Sequence, residues 1–168
     1  MAHLHYLTVQ DLLWLNLELT EAVHAFHYAS LEDAVYCQYG YGNSQRVAEQ
    51  AARLAWEFPR KAPFKAGNAA CAFAATVAFV ELNGLKCTLA DGSPAVTWAQ
   101  ALATGDRPDV AKFEGAFTAC ASDPHGSNPD DVRHLVRHAL QSVMTRYAAA
   151  LATLVANEAA TPVALDVR

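Results

Sequence analysis

The chain has 168 residues, 53% of them hydrophobic and 17% charged, a length and composition suited to one compact domain and unsuited to disorder. Its 12 Lys and Arg against 17 Asp and Glu give a formal charge of −5, which excludes a nucleic-acid partner, because phosphate binding needs a surplus of cations. Cys37, Cys71, Cys87 and Cys120 form no CxxC pair, so neither a zinc site nor a disulfide scaffold is expected; they read as free thiols, mostly buried, in the cytoplasm.

The start, Met1-Ala2-His3-Leu4-His5, lacks the charged-then-apolar layout of a signal peptide. Thr8 and Asp11 are spaced as a capping box, and Leu12, Leu15, Leu19, Val23 and Phe26 recur at near-helical intervals, which predicts a first helix reaching His27. A short turn or helix follows over 30–35. In Tyr36-Cys37-Gln38-Tyr39-Gly40-Tyr41-Gly42-Asn43, tyrosines alternate with glycines, which predicts an extended flap hairpin. Tyr36, Tyr39 and Tyr41 either form a docking strip for another chain at its edge or are half-buried structural rings. Ser44 caps a second helix with Val47, Ala51, Leu54, Ala55 and Phe58 on one face, ended by Pro59.

A loop over 60–66 leads to Gly67-Asn68 and a third helix with Phe73, Thr76, Val77 and Val80 on one face, closed at Asn83-Gly84. Its apolar run is broken by Glu81 and Asn83 and is too short to span a bilayer, so no membrane association is expected. Residues 86–89 read as a short strand before the Asp91-Gly92 turn, and helices are expected over 93–103 and 108–121. Pro124 and Gly126 mark a linker over 122–128. Asn128-Pro129-Asp130-Asp131 is a strong helix start. Val132, Leu135, Val136, Ala139, Leu140, Val143, Tyr147, Ala150, Leu151 and Leu154 then form one apolar stripe, predicting a single long helix over 129–157 and a frayed tail over 158–168.

Gly67-Asn68 at the start of a buried helix offers free backbone N–H groups at the positive end of a dipole, a geometry that holds phosphate. In its setting, Ala62-Pro63-Phe64-Lys65-Ala66-Gly67-Asn68-Ala69-Ala70 followed by Val80-Glu81-Leu82-Asn83-Gly84 resembles the central motif of the Fic/Doc (filamentation and death-on-curing) family, written HxFx[D/E][G/A]NKRxx. The resemblance runs from Leu7 to Cys120. Leu7-Thr8-Val9-Gln10-Asp11-Leu12-Leu13 is similar to the family's opening helix, and Tyr36 to Asn43 falls where the family carries its target-docking flap. It implies an all-α Fic/Doc-like bundle over 1–121 with a short flap hairpin, to which the C-terminal helix is an addition.

The departures from the motif are as telling as the matches. Ala62 stands where the family has a proton-abstracting His, Ala66 where an acid holds magnesium, and Ala69 and Ala70 where Lys and Arg grip phosphate. Phe64 remains as packing, and Gly67 and Asn68 as a phosphate-binding remnant. Losing a general base typically costs ~10²–10⁴ in rate, and losing metal and phosphate clamps costs a comparable factor. No catalytic residue, metal or cofactor is therefore expected, and ATP with magnesium should be held poorly. The family's autoinhibitory (S/T)xxxE(G/N) pattern is absent, since no Glu here has Ser or Thr four residues before it.

The resulting expectation is a catalytically inactive Fic/Doc-like protein of the bacterial toxin–antitoxin type. It would bind another protein, or form a homo-oligomer through the amphipathic C-terminal helix. The alternatives are a nucleotidyl- or phosphotransferase using residues from the flap or first helix, and a passive nucleotide sensor. Elsewhere, His134 and His138 are four apart but lack a third ligand, His24 and His27 suit a helix end, Cys71 reads as buried, and no Ser-His-Asp set or Gly-rich phosphate loop occurs.

Overall fold

Residues 4–40, 46–120 and 129–160 are described in the structure, a computed structural model. Its centre is α4 (Asn68–Leu82), in which every residue from Ala70 to Val80 is buried. A helix that is apolar all round has to be covered all round. Here α1 (Val9–Thr20), α3 (Val47–Lys61), α5 (Ser93–Thr104), α7 (Pro129–Arg146) and α8 (Ala148–Ala160) pack against it. Outside these, α2 (Tyr28–Tyr36) and α6 (Val110–Glu114) lean on α3. The only regular strands among the described residues are β1 (Leu85–Cys87) and β2 (Phe117–Ala119), paired antiparallel with Leu85 opposite Ala119. The fold is all-α. No helix among the described residues is long and apolar enough to cross a membrane.

Several elements differ from the sequence reading, each for a local reason. The first helix stops at Thr20 rather than His27: Glu21 turns left-handed (φ 54) and the Thr20 hydroxyl donates to the Asn16 and Ala22 carbonyls. The residues after it cross to the loop before α4, where Phe26 bridges Phe64 and the His27 N–H donates to Pro63. Pro59 does not end α3. It sits in the last turn, at the cost of one backbone bond to the carbonyl four residues back, and Ala62 (φ 43) caps the helix three residues later. The helix expected over 108–121 is cut at Gly115, and Phe117 joins the ribbon in an aromatic cluster with Phe113 and Trp98.

The flap hairpin expected at Tyr36, Tyr39 and Tyr41 is not formed by the described part of that stretch. Tyr36 ends α2, and Cys37, Gln38 and Tyr39 wind on in a tight turn. Tertiary contacts override the Tyr/Gly pattern: Tyr39 stacks on Tyr6 at 4.3 Å, and the buried Gln38 amide bonds both the N–H and the carbonyl of Leu7. Tyr36 is 52% exposed, whereas Tyr41 and Ser44 lie outside the described residues, as does the segment read as a linker.

The long helix expected over 129–157 is two helices broken at Tyr147. The Tyr147 hydroxyl donates to the Leu89 carbonyl, and the Asp91 carboxylate accepts from the N–H groups of Ala149 and Ala150, capping α8 from outside the helix. The break turns both halves onto α4, so Val136, Leu140, Val143, Leu151 and Leu154 are buried within the chain. The stripe that suggested self-association is thereby used internally, and the two helices complete the core. Arg146 pairs with Glu81, and Arg137 pairs with Asp11 while lying over Trp14, fixing α7 to α4 and α1. Leu140→Ala is expected to cost about 2–5 kcal/mol in a urea melt with an unchanged slope. A loss under about 0.5 kcal/mol would contradict the placing of α7 in the core.

Candidate functional site

The loop between α3 and α4 is tied down from three sides. Phe64 is buried against Phe58, with ring centroids 6.4 Å apart. The Asn68 side chain closes on it as a clamp: Oδ1 accepts from the Phe64 N–H at 3.0 Å and Nδ2 donates to the Phe64 carbonyl at 2.7 Å. From α1, the Asn16 amide donates to the Ala66 carbonyl at 2.8 Å and reaches Cys71 Sγ at 3.6 Å. Gly67 is required twice over. Its φ is 82, and a Cβ there would stand 2.8 Å from Thr20 Cγ2 and 3.1 Å from Asn16 Nδ2. These matches to the motif therefore hold the loop against α1 and α3.

The positive end of α4 is already occupied. Gly67 supplies no side-chain cap, and Glu158 near the end of α8 brings its carboxylate to this point. Oε1 accepts from Asn68 Nδ2 at 3.0 Å and Oε2 from the Ala69 N–H at 3.3 Å. A carboxylate at a helix N-terminus satisfies an orphan donor and the dipole together. Glu158 was assigned above to the frayed tail; the helix in fact continues to Ala160. Its role was invisible in sequence because Glu158 meets Asn68 only once α8 has packed along α4.

The four alanines do not form one cluster of equivalent positions. Ala62 is exposed at the end of α3, Ala66 and Ala69 are half-buried, and Ala70 is 0% exposed. An arginine at Ala70 has no room in the core without displacing α4's neighbours. Methyl groups neither donate nor accept, and among the described residues the polar contacts of this loop come from backbone, Asn16, Asn68 and Glu158.

Beside the loop lies an open apolar groove of ≈ 370 Å³, walled by Leu13, Trp14, Leu17, Val23, Phe26 and Phe64, with Asn16 and His24 among its few polar residues. Three of its residues are unusually bare for their size: Leu17 at 42%, Phe26 at 44% and Val23 at 91%. Among the described residues, no backbone hydrogen bond is made by the N–H groups of Val23, His24, Ala25 or Phe26. The non-helical segment alongside the motif loop is thus 22–26, where the sequence pattern had suggested helix. Its signal was hidden because Val23 and Phe26 continue the spacing of α1.

Other candidates give no second site. His134 and His138 are exposed on α7, and no group of three His, Cys, Asp or Glu side chains able to hold a metal occurs among the described residues. His27 caps α2 through Nδ1, which accepts from the Ser30 N–H at 3.2 Å. Burial pushes the Cys71 thiol up to about 12, despite the Asn16 hydrogen bond, and burial beside Glu57 does the same for Cys37. No protein-family profile, curated protein or solved structure matches the chain.

A thiol held protonated and buried is unreactive. In native protein at pH 8, exposed Cys120 should take maleimide within minutes while Cys71 stays unlabelled until unfolding, as read by peptide mass. Rapid native labelling of Cys71 would contradict this packing. The unfolded chain releases thiol protons near pH ~8.5, whereas native Cys71 and Cys37 hold theirs to about 12. Above that lower pH the unfolded state binds fewer protons, so stability is present below it and falls as pH rises. A urea midpoint that rises between pH 8 and 10 would contradict this sign.

Proposed function

We propose that the chain is a Fic/Doc-like protein without transfer activity that acts by binding an extended apolar segment of another protein. The observation that carries the first half is the filling of the α4 N-terminus by Glu158, where a transferred phosphate would need the same donors. With Ala62, Ala66, Ala69 and Ala70 at the positions the resemblance assigns to base, metal ligand and cations, this places a negative charge where the substrate's own negative charge would sit. An altered transferase would need a base and a phosphate clamp from elsewhere. Asn16 and Thr20, the polar side chains of α1 nearest the loop, are committed to backbone and packing contacts.

The binding half rests on the groove. An apolar floor next to backbone N–H groups that make no backbone hydrogen bond among the described residues suits a partner strand that adds main-chain hydrogen bonds along 22–26 and places alternate apolar side chains against Leu17 and Phe26. This moves the docking strip from Tyr36, Tyr39 and Tyr41 to the segment that pairs with the motif loop.

Intact-mass measurement after incubation with ATP and magnesium should show no adduct, and a stable gain of a phosphate or nucleotide on this chain would overturn the inactive reading. For docking, displayed hexapeptides selected on the chain should alternate apolar residues. Val23→Asp should weaken the recovered peptides at least tenfold by fluorescence anisotropy. Peptide affinity unmoved by that substitution would contradict the assignment.

A further inference from the structure

The groove segment and the end of α8 are joined by a short run of hydrogen bonds. Glu158 Oε1 takes one proton of the Asn68 amide at 3.0 Å, and that same Nδ2 gives its other proton to the Phe64 carbonyl at 2.7 Å. Asn68 Oδ1 accepts from the Phe64 N–H at 3.0 Å. Phe64 bridges Phe26, and next to it the Pro63 carbonyl accepts the His27 N–H at 2.9 Å. Both amide protons and the amide oxygen of a buried Asn68 are thus committed, one of them to a charged acceptor. A hydrogen bond to a charged group is stronger than a neutral one, and it polarises the amide so that its oxygen accepts more strongly from Phe64.

We infer that Glu158 is a positioning residue for the docking segment 22–27, acting through Asn68 and Phe64 across the first turn of α4. The consequence for binding rests on the docking reading above; the coupling itself does not. Release of Glu158 loosens the Phe64 clamp, and with it the bridge that holds Phe26 at the groove. Because such coupling is reciprocal, a strand docked along Phe26 also tightens the seat of Glu158 and the last turn of α8. The docking face therefore has a control point on α8, which lines no part of the groove. Anything that draws that turn away, a competing anion at the Ala69 N–H included, weakens docking without touching the groove.

Native-state hydrogen exchange by NMR tests the coupling without a partner. In Glu158→Ala, the amides of Phe64 and His27 should exchange at least about fivefold faster, while those of Thr88, Val96 and Phe113, bonded elsewhere in the fold, stay unchanged. Glu158→Gln preserves shape and one acceptor and should give a smaller rise at the same two amides, which keeps the test sound if the alanine variant unfolds. Asp91→Ala is the control for a loosened α8: it frees the other end of that helix and should speed Ala150 without moving Phe64 or His27. Faster exchange confined to Ala69 in Glu158→Ala, or equal loosening of Phe64 and His27 by Asp91→Ala, would overturn the inference. Neither result bears on docking itself, which fails only if peptide affinity ignores Val23→Asp.

Discussion

A helix without a polar side sets the architecture. α4 buries every residue from Ala70 to Val80, so five other helices have to lie against it, and the chain must return from its C-terminal part to supply two of them. Fully burying each large side chain of α7 and α8 contributes about 1.5–3 kcal/mol, which favours docking both against α4. The alanines of α4 let its neighbours approach closely, and the large rings at Phe73 and Phe79 fill the spaces between them. The break at Tyr147 follows from the same demand. From Arg146, which pairs with Glu81 near the C-terminal end of α4, α8 runs along α4 to its N-terminus, and Asp91 caps its start.

Covering α4 creates a second demand at its N-terminus. Buried N–H groups at a helix start need acceptors. Here the chain meets that demand with its own carboxylate, which stays with the fold. In this turn Gly67 keeps the loop close to α1, Asn68 clamps Phe64, and Glu158 takes the place at the dipole. Exposed nearby are the apolar side chains of Leu17, Val23 and Phe26.

Helix content was readable wherever periodicity was long and caps were strong. The Thr8–Asp11 capping box, the Pro129 start and the span of α4 all follow from local rules. Where the reading diverged, a distant contact decided. Nothing near Thr20 in sequence announces that Gly67 will press on it, and Val23 and Phe26 fit the helical repeat that the chain abandons. Tyrosines and glycines around Tyr39 suggested a hairpin, but the Gln38 amide locking onto Leu7 favoured a turn. At the site, the loop's Gly67-Asn68 pair and its four alanines were legible in the residue types alone. The identity of what fills it was not, because Glu158 stands ninety positions from Asn68 and carries no local pattern.

The central claim is that the α4 N-terminus is closed to phosphate by Glu158. A crystal structure determined after soaking in ATP and magnesium tests it directly. The Glu158 carboxylate should still sit on the Asn68 amide and the Ala69 N–H, with no ordered phosphate beside them. A phosphate bound at Ala69, with Glu158 displaced, would contradict it.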